Sequence, residues 1–269
     1  MRFVVILALV APIACVEAPP ENLSNARLPL AQPRTPQNVH VVREVDPPPR
    51  VEAILAEPGR TAEDRALDRP RQVADLLAFI GVASGMRVAE LGAGDGYFTE
   101  LLARAVGPRG VVFAQNDPSL LSPAVESGWA ARLDRPAMRN VTRVDRGFPA
   151  PLPFEARGLD RVYLGVDYSV LAALGVDRDA MNHAVQLALR RGGRYVVLDR
   201  TLPPRPNPVE AHREESRGAR REIESAGFSF VTEGRWFRTS PDPNDWNGVV
   251  IEGAPVAGED VFALVFAKR

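Results

Sequence analysis

From Thr61 onward the apolar residues recur with two alternating periods. Val73, Leu76, Leu77 and Ile80 fall at the i, i+3, i+4, i+7 spacing that lines one face of a helix, and Phe98, Leu101, Leu102 and Ala105 repeat it. Residues 180–191 and 209–226 carry two further helical stretches. Between them lie short apolar runs at 87–91, 110–115, 141–144, 159–166 and 194–199, each of strand length. Thr61 followed by Asp64 resembles a capping box, and Pro70 marks a second helix start. Gly81, Gly85, Gly107-Pro108, Gly192-Gly193 and Gly227 close the helical stretches. Strands alternating with helices predict an α/β fold with a mostly parallel, doubly wound sheet covered on both faces. The last two runs, 228–233 and 261–267, have no helix pattern between them, which predicts an antiparallel hairpin at one sheet edge.

Upstream the pattern changes twice. Residues 1–15, MRFVVILALVAPIAC, hold one Arg and then an unbroken apolar run too short to span a bilayer. The segment resembles a bacterial lipoprotein signal, which implies export, lipidation of Cys15 and a membrane anchor, with Pro12 departing from the usual pattern. Residues 16–56 are rich in proline (19–20, 33–36, 47–49) and carry no useful apolar period, which predicts an extended tether. The folded domain is therefore expected over 57–269.

Charge and composition narrow the partners. A net charge of −1 gives no electrostatic basis for binding nucleic acid. One Cys and three His (His40, His183, His212), without HxxxH spacing, predict no metal site.

The chemistry concentrates in Val88–Tyr97, VAELGAGDGY, where a strand pattern meets a helix pattern. Gly92, Gly94 and Gly96 permit a sharp turn and close backbone approach, and the following helix N-terminus suits a polar or anionic ligand. A dinucleotide fingerprint would need glycine at position 97, which is Tyr97, so NAD is disfavoured. The arrangement Glu90-Leu-Gly92-Ala93-Gly94-Asp-Gly96 resembles motif I of the class I S-adenosylmethionine-dependent methyltransferases. That resemblance runs from VASGMRV through VVFAQN and on to LRRGGRYVVLD. With AEDRALDRPRQVADLLAF before it and His212-Arg213 and ESAGF after it, it narrows toward a group of predicted methyltransferases of undefined substrate and takes in nearly all of 57–269. It implies a Rossmann-like, seven-stranded fold with S-adenosylmethionine as cofactor. Glu90 would then lie near the methionyl part, with Gly92, Ala93, Gly94 and Gly96 around it. Asn116 or Asp117 would meet the ribose hydroxyls where the family usually has an acid, and Asp145 the adenine amino group. Phe148 and Leu152 would give that ring apolar contact.

The acceptor is expected to be a small molecule, and the sequence does not name it. Asp167 and Tyr168 stand at the expected rim, and His212 is the best candidate base because its ordinary pKa lies near neutrality. The alternative is an exported, non-catalytic binding protein that keeps the methyltransferase fold, since S-adenosylmethionine is made in the cytosol.

Overall fold

The computed structural model describes residues 49–200, 208–238 and 260–269. The signal-like segment and the greater part of the expected tether therefore lie outside the described residues. Helices α1 (Pro49–Ala56), α2 (Ala62–Asp68) and α3 (Val73–Ile80) precede β1 (Arg87–Leu91). Then come α4 (Tyr97–Val106), β2 (Val111–Asn116), α5 (Pro123–Leu133), β3 (Val141–Asp145) and β4 (Leu159–Leu164). The rest is α6 (Tyr168–Ala173), α7 (Arg178–Ala188), β5 (Leu189–Arg200), α8 (Pro208–Ser225), β6 (Phe228–Arg238) and β7 (Asp260–Lys268).

The strands form one seven-stranded sheet in the order β3-β2-β1-β4-β5-β7-β6. The first five are parallel, and β7 runs antiparallel to both β5 and β6, as the missing helix pattern predicted. Alternation along β1 shows the double winding. Val88 points into a core shared with α1, α3 and α4. Ala89 and Leu91 point into the opposite core, built with α6, α7 and α8. Period-two strands with both faces apolar need helices on both sides, and the crossovers supply them.

Two expectations are corrected. The tether does not extend to residue 56, because Pro49 opens α1 and its Val51 and Ile54, three apart, are buried in the core. Arg50 Nη2 donates to the Ala105 carbonyl at 2.7 Å and fixes this helix on the end of α4. The helix expected over 180–191 stops at Ala188, since Leu189 is buried in extended backbone and pairs with Leu159. A register irregularity then carries the pairing to Arg161 with Arg194 and absorbs Gly192-Gly193. Thr61 does cap α2, accepting from the Asp64 amide at 3.1 Å.

Candidate active site

Strand β1 lies between β2 and β4, and beyond its end the chain turns through Gly92–Gly96 into α4. Gly92, Gly94 and Gly96 all have positive φ (75°, 58° and 82°), a region that L side chains rarely occupy. Protein packing also requires two of them. A Cβ on Gly92 would lie 2.7 Å from Val166 Cγ1, and one on Gly96 would lie 2.4 Å from the Trp129 ring. At these two positions the glycines make room for neighbouring side chains as well as for the turn. Ala93 is buried against Trp129 on α5.

The end of β2 holds the turn in place. Gly94 N–H donates to Asn116 Oδ1 at 2.8 Å, and Asn116 Nδ2 donates back to the Gly94 carbonyl at 3.0 Å. Gln115, which no motif singled out, accepts from Gly92 N–H through both its main-chain oxygen (2.9 Å) and Oε1 (3.0 Å). Asn116 is thus committed to the glycine turn rather than set out as a ligand for a diol. Asp117 is placed differently. Its Oδ1 accepts from the Ser119 amide (3.0 Å) and hydroxyl (2.7 Å), while Oδ2 lies on the side of Gly147. Gly92, Asn116, Asp117, Leu120, Phe148 and Val166 line a small cleft, apolar except at the β2 end. Asp145 is not among those lining residues. Its carboxylate accepts from Arg143 Nε (2.8 and 3.0 Å), and Arg143 also binds Glu126 on α5. Leu152 packs, partly buried, against the core.

Glu90 has 0% exposure, which decides its chemistry. Thr99 Oγ1 on α4 donates to Glu90 Oε2 at 2.5 Å, whereas Oε1 has no hydrogen-bond partner among the described residues. Burial pushes this carboxyl up to about 8, against the Thr99 hydrogen bond that favours the anion, with nearby Asp95 pushing the same way as burial. Tyr163, its neighbour in the β1–β4 ladder, is also held well above its ordinary value, first by burial and then by Glu90 and Asp167.

Asp167 stands near Tyr163, half-buried just before α6. Tyr168, the next residue, faces the other way. It is 1% exposed, accepts from Asn182 Nδ2 at 2.7 Å and stacks under Arg178 at 4.5 Å. Its side chain is spent on holding α6 to α7 rather than set out at a rim. His212 sits on α8, and its side chain lies outside the described ones.

A dense charge cluster clamps α2 over the start of α4. Arg132 on α5 donates to Asp64 (2.8 and 2.9 Å) and Glu100 (2.9 Å), and Arg135 reaches the same two carboxylates. Arg60 binds Asp68, whose Oδ1 also accepts from the Tyr97 hydroxyl at 2.6 Å. Partners 68 residues apart leave no local signal in the sequence.

Comparison with known proteins agrees with this fold. A family model described as protein-L-isoaspartate (D-aspartate) O-methyltransferase matches residues 51–156, from α1 past β3. A SAM-dependent methyltransferase structure from Aquifex aeolicus superposes with a TM-score of 0.52 at 15% identity, covering 76% of this chain and 96% of that one. The fold is that of the SAM-dependent methyltransferases. A protein-L-isoaspartate O-methyltransferase of Methanothrix thermoacetophila is 28% identical over 46% of this chain and 55% of its own length. A ubiquinone/menaquinone biosynthesis C-methyltransferase of Hahella chejuensis is 32% identical over 49% of this chain and 50% of its own. The chain thus matches about half the length of these curated relatives.

Proposed function

We propose that this chain transfers a methyl group from S-adenosylmethionine to a small-molecule acceptor. Glu90 carries the reading. A fully buried carboxyl with one unpartnered oxygen, beside a glycine turn at a strand end, is costly unless a cationic group comes to it. The cofactor would supply an electrophilic methyl on a sulfonium, together with an ammonium, a ribose diol and an adenine ring. Glu90 matches the ammonium, Asp117 Oδ2 the diol, and the Phe148, Val166 and Leu120 walls the ring.

Alignment is the main work left to the protein, because in-line displacement is accelerated chiefly by holding nucleophile and methyl carbon at close range. The glycine turn, pinned by Asn116 and Gln115, gives that alignment a rigid floor. We assign to Asp167 the task of taking a proton from an acceptor, with His212 on α8 as the second group for it. The two relatives are named for O- and C-methylation, so kinship leaves the acceptor atom open.

Thermal unfolding of the full chain with S-adenosylmethionine or S-adenosylhomocysteine tests the reading. Ligand at a hundredfold excess over its Kd should stabilise the fold by about 2.7 kcal/mol, and no shift with either ligand overturns it.

A further inference from the structure

The starts of the parallel strands β1, β4 and β5 lie at the end of the sheet away from the glycine turn, and positive charge gathers there. Arg87 opens β1, and its side chain donates to the Glu155 and Arg157 carbonyls (2.8 and 3.2 Å) in the loop before β4. Arg157, Arg191 and Arg194 are exposed, and Lys268 in β7 donates to the Leu189 carbonyl at 2.8 Å. Arg190 pairs with Asp160 at 2.6 Å, but none of those four cations has an ion pair among the described residues. The acids on the same segments are Asp160, which also accepts from the Arg87 amide, and Glu155. The cations therefore press on one another. Burial, then Arg157 and Arg191, hold Lys268 below its ordinary value. Burial, then Arg194, do the same to Arg161, the ladder partner of Arg194. In a chain of net charge −1 this is a local excess.

Two large apolar side chains stand on that surface. Phe154 is 79% exposed, and Leu187, in the last turn of α7, is 59% exposed. Arg157 links them, with its guanidinium 5.4 Å from the centre of the Phe154 ring and its Nη1 donating to the Leu187 carbonyl at 3.4 Å. Apolar groups set among unpaired cations suit a partner that is anionic outside and apolar beneath. A bilayer with acidic lipids has that layering. Its phosphates meet the cations, while a ring and an aliphatic chain reach toward the acyl boundary. A nucleic-acid strand offers phosphates but nothing apolar for Leu187, and Arg157 already covers a face of Phe154 on which a base would stack.

We infer that this end of the sheet docks the domain on an anionic lipid bilayer, through Arg157, Arg191, Arg194 and Lys268, with Phe154 and Leu187 inserted at the headgroup level. The glycine turn, at the opposite ends of the strands, then faces away from the membrane. The inference goes beyond the methyl-transfer reading and uses none of its residues.

Co-sedimentation of the full chain with vesicles tests it, comparing pure phosphatidylcholine with phosphatidylcholine mixed with phosphatidylglycerol. Wild type should bind the mixed vesicles about tenfold or more tightly than the neutral ones, and high salt should remove most of that preference. The apolar run at residues 3–14 favours neither kind, so the preference isolates the patch. Arg191→Ser combined with Arg194→Ser should weaken binding to mixed vesicles roughly 10- to 30-fold, at about fivefold per cation. Phe154→Ser should weaken it about 3- to 10-fold. Removing two unpaired arginines relieves repulsion, so an unchanged or raised Tm separates lost docking from lost folding. Equal wild-type binding to both kinds of vesicle overturns the inference, and so does either variant binding as wild type does. Wild type that ignores the vesicles but holds a short single-stranded RNA or an acidic peptide through the same arginines overturns it as well. All three outcomes leave the stabilisation by S-adenosylmethionine or S-adenosylhomocysteine unaffected, so this inference and the methyl-transfer reading fail separately.

Discussion

Replacing Glu90 with Gln should change how the stability of this protein depends on pH, in a direction fixed by burial. The carboxyl is lifted from 4.5 to about 8 in the folded chain. The folded state therefore keeps a proton that the unfolded chain has released over the interval between those values. Under linkage, a raised folded value gives stability that is complete below the unfolded value and is lost as pH rises through the folded one. At about 1.4 kcal/mol per tenfold change in proton affinity, the loss from Glu90 alone has an upper bound of roughly 5 kcal/mol. Relaxation around the anion brings a realistic figure to about 2–4 kcal/mol. Gln keeps the shape, accepts from Thr99 and does not ionise. Melting both proteins without ligand from about pH 5 to pH 9 isolates the effect, because all other groups titrate alike in the two. The Tm of Glu90→Gln relative to wild type should climb by roughly 4–15 °C across that range for a domain of this size. A gap that stays constant with pH would refute the assignment of a protonated, buried Glu90.

Two further substitutions test the scaffold. Gly96→Ala should cost about 3 kcal/mol, because it combines a left-handed backbone with a Cβ driven into the Trp129 ring, and denaturant titration should show a lower midpoint with an unchanged slope. Arg132→Met should cost roughly 3–5 kcal/mol near neutrality by stripping Asp64 and Glu100 of a shared buried partner. The Arg132 and Arg135 hydrogen bonds hold Asp64 below its ordinary range against burial, and Arg104, Arg132 and Arg135 do the same for Glu100. That stability is present above the unfolded values and is lost as pH falls through the folded ones, so wild type and variant should converge in acid. A deficit that persists undiminished in acid would contradict the charge-cluster account.

Much of the fold was legible because its elements announce themselves locally. Strand β1 and helices α3 and α4 follow their periods closely, and the four apolar residues assigned to α3 are all buried. Helix α5 escaped because its buried face mixes Val125 and Trp129 with Arg132, so a charged residue interrupts the apolar stripe. Ser122 and Pro123, a cap followed by proline at the first helical position, were the signal that could have found it. In the site, the turn made by the three glycines was readable from their spacing, whereas Glu90 was singled out through the motif resemblance. The roles of Asn116 and Tyr168 were not legible, because a strand or helix period says which face a residue takes and not which atom meets its polar end.

The paired hydrogen bonds between Asn116 and Gly94 bear on how this site can be engineered. An amide matches a peptide group donor for acceptor and so behaves as one added rung of the β ladder, welded to the loop. An acid at this position would put an acceptor opposite a carbonyl and open that rung. Asn116→Asp would thus loosen the very loop that the amide holds in place, whatever charge it brought to the end of β2.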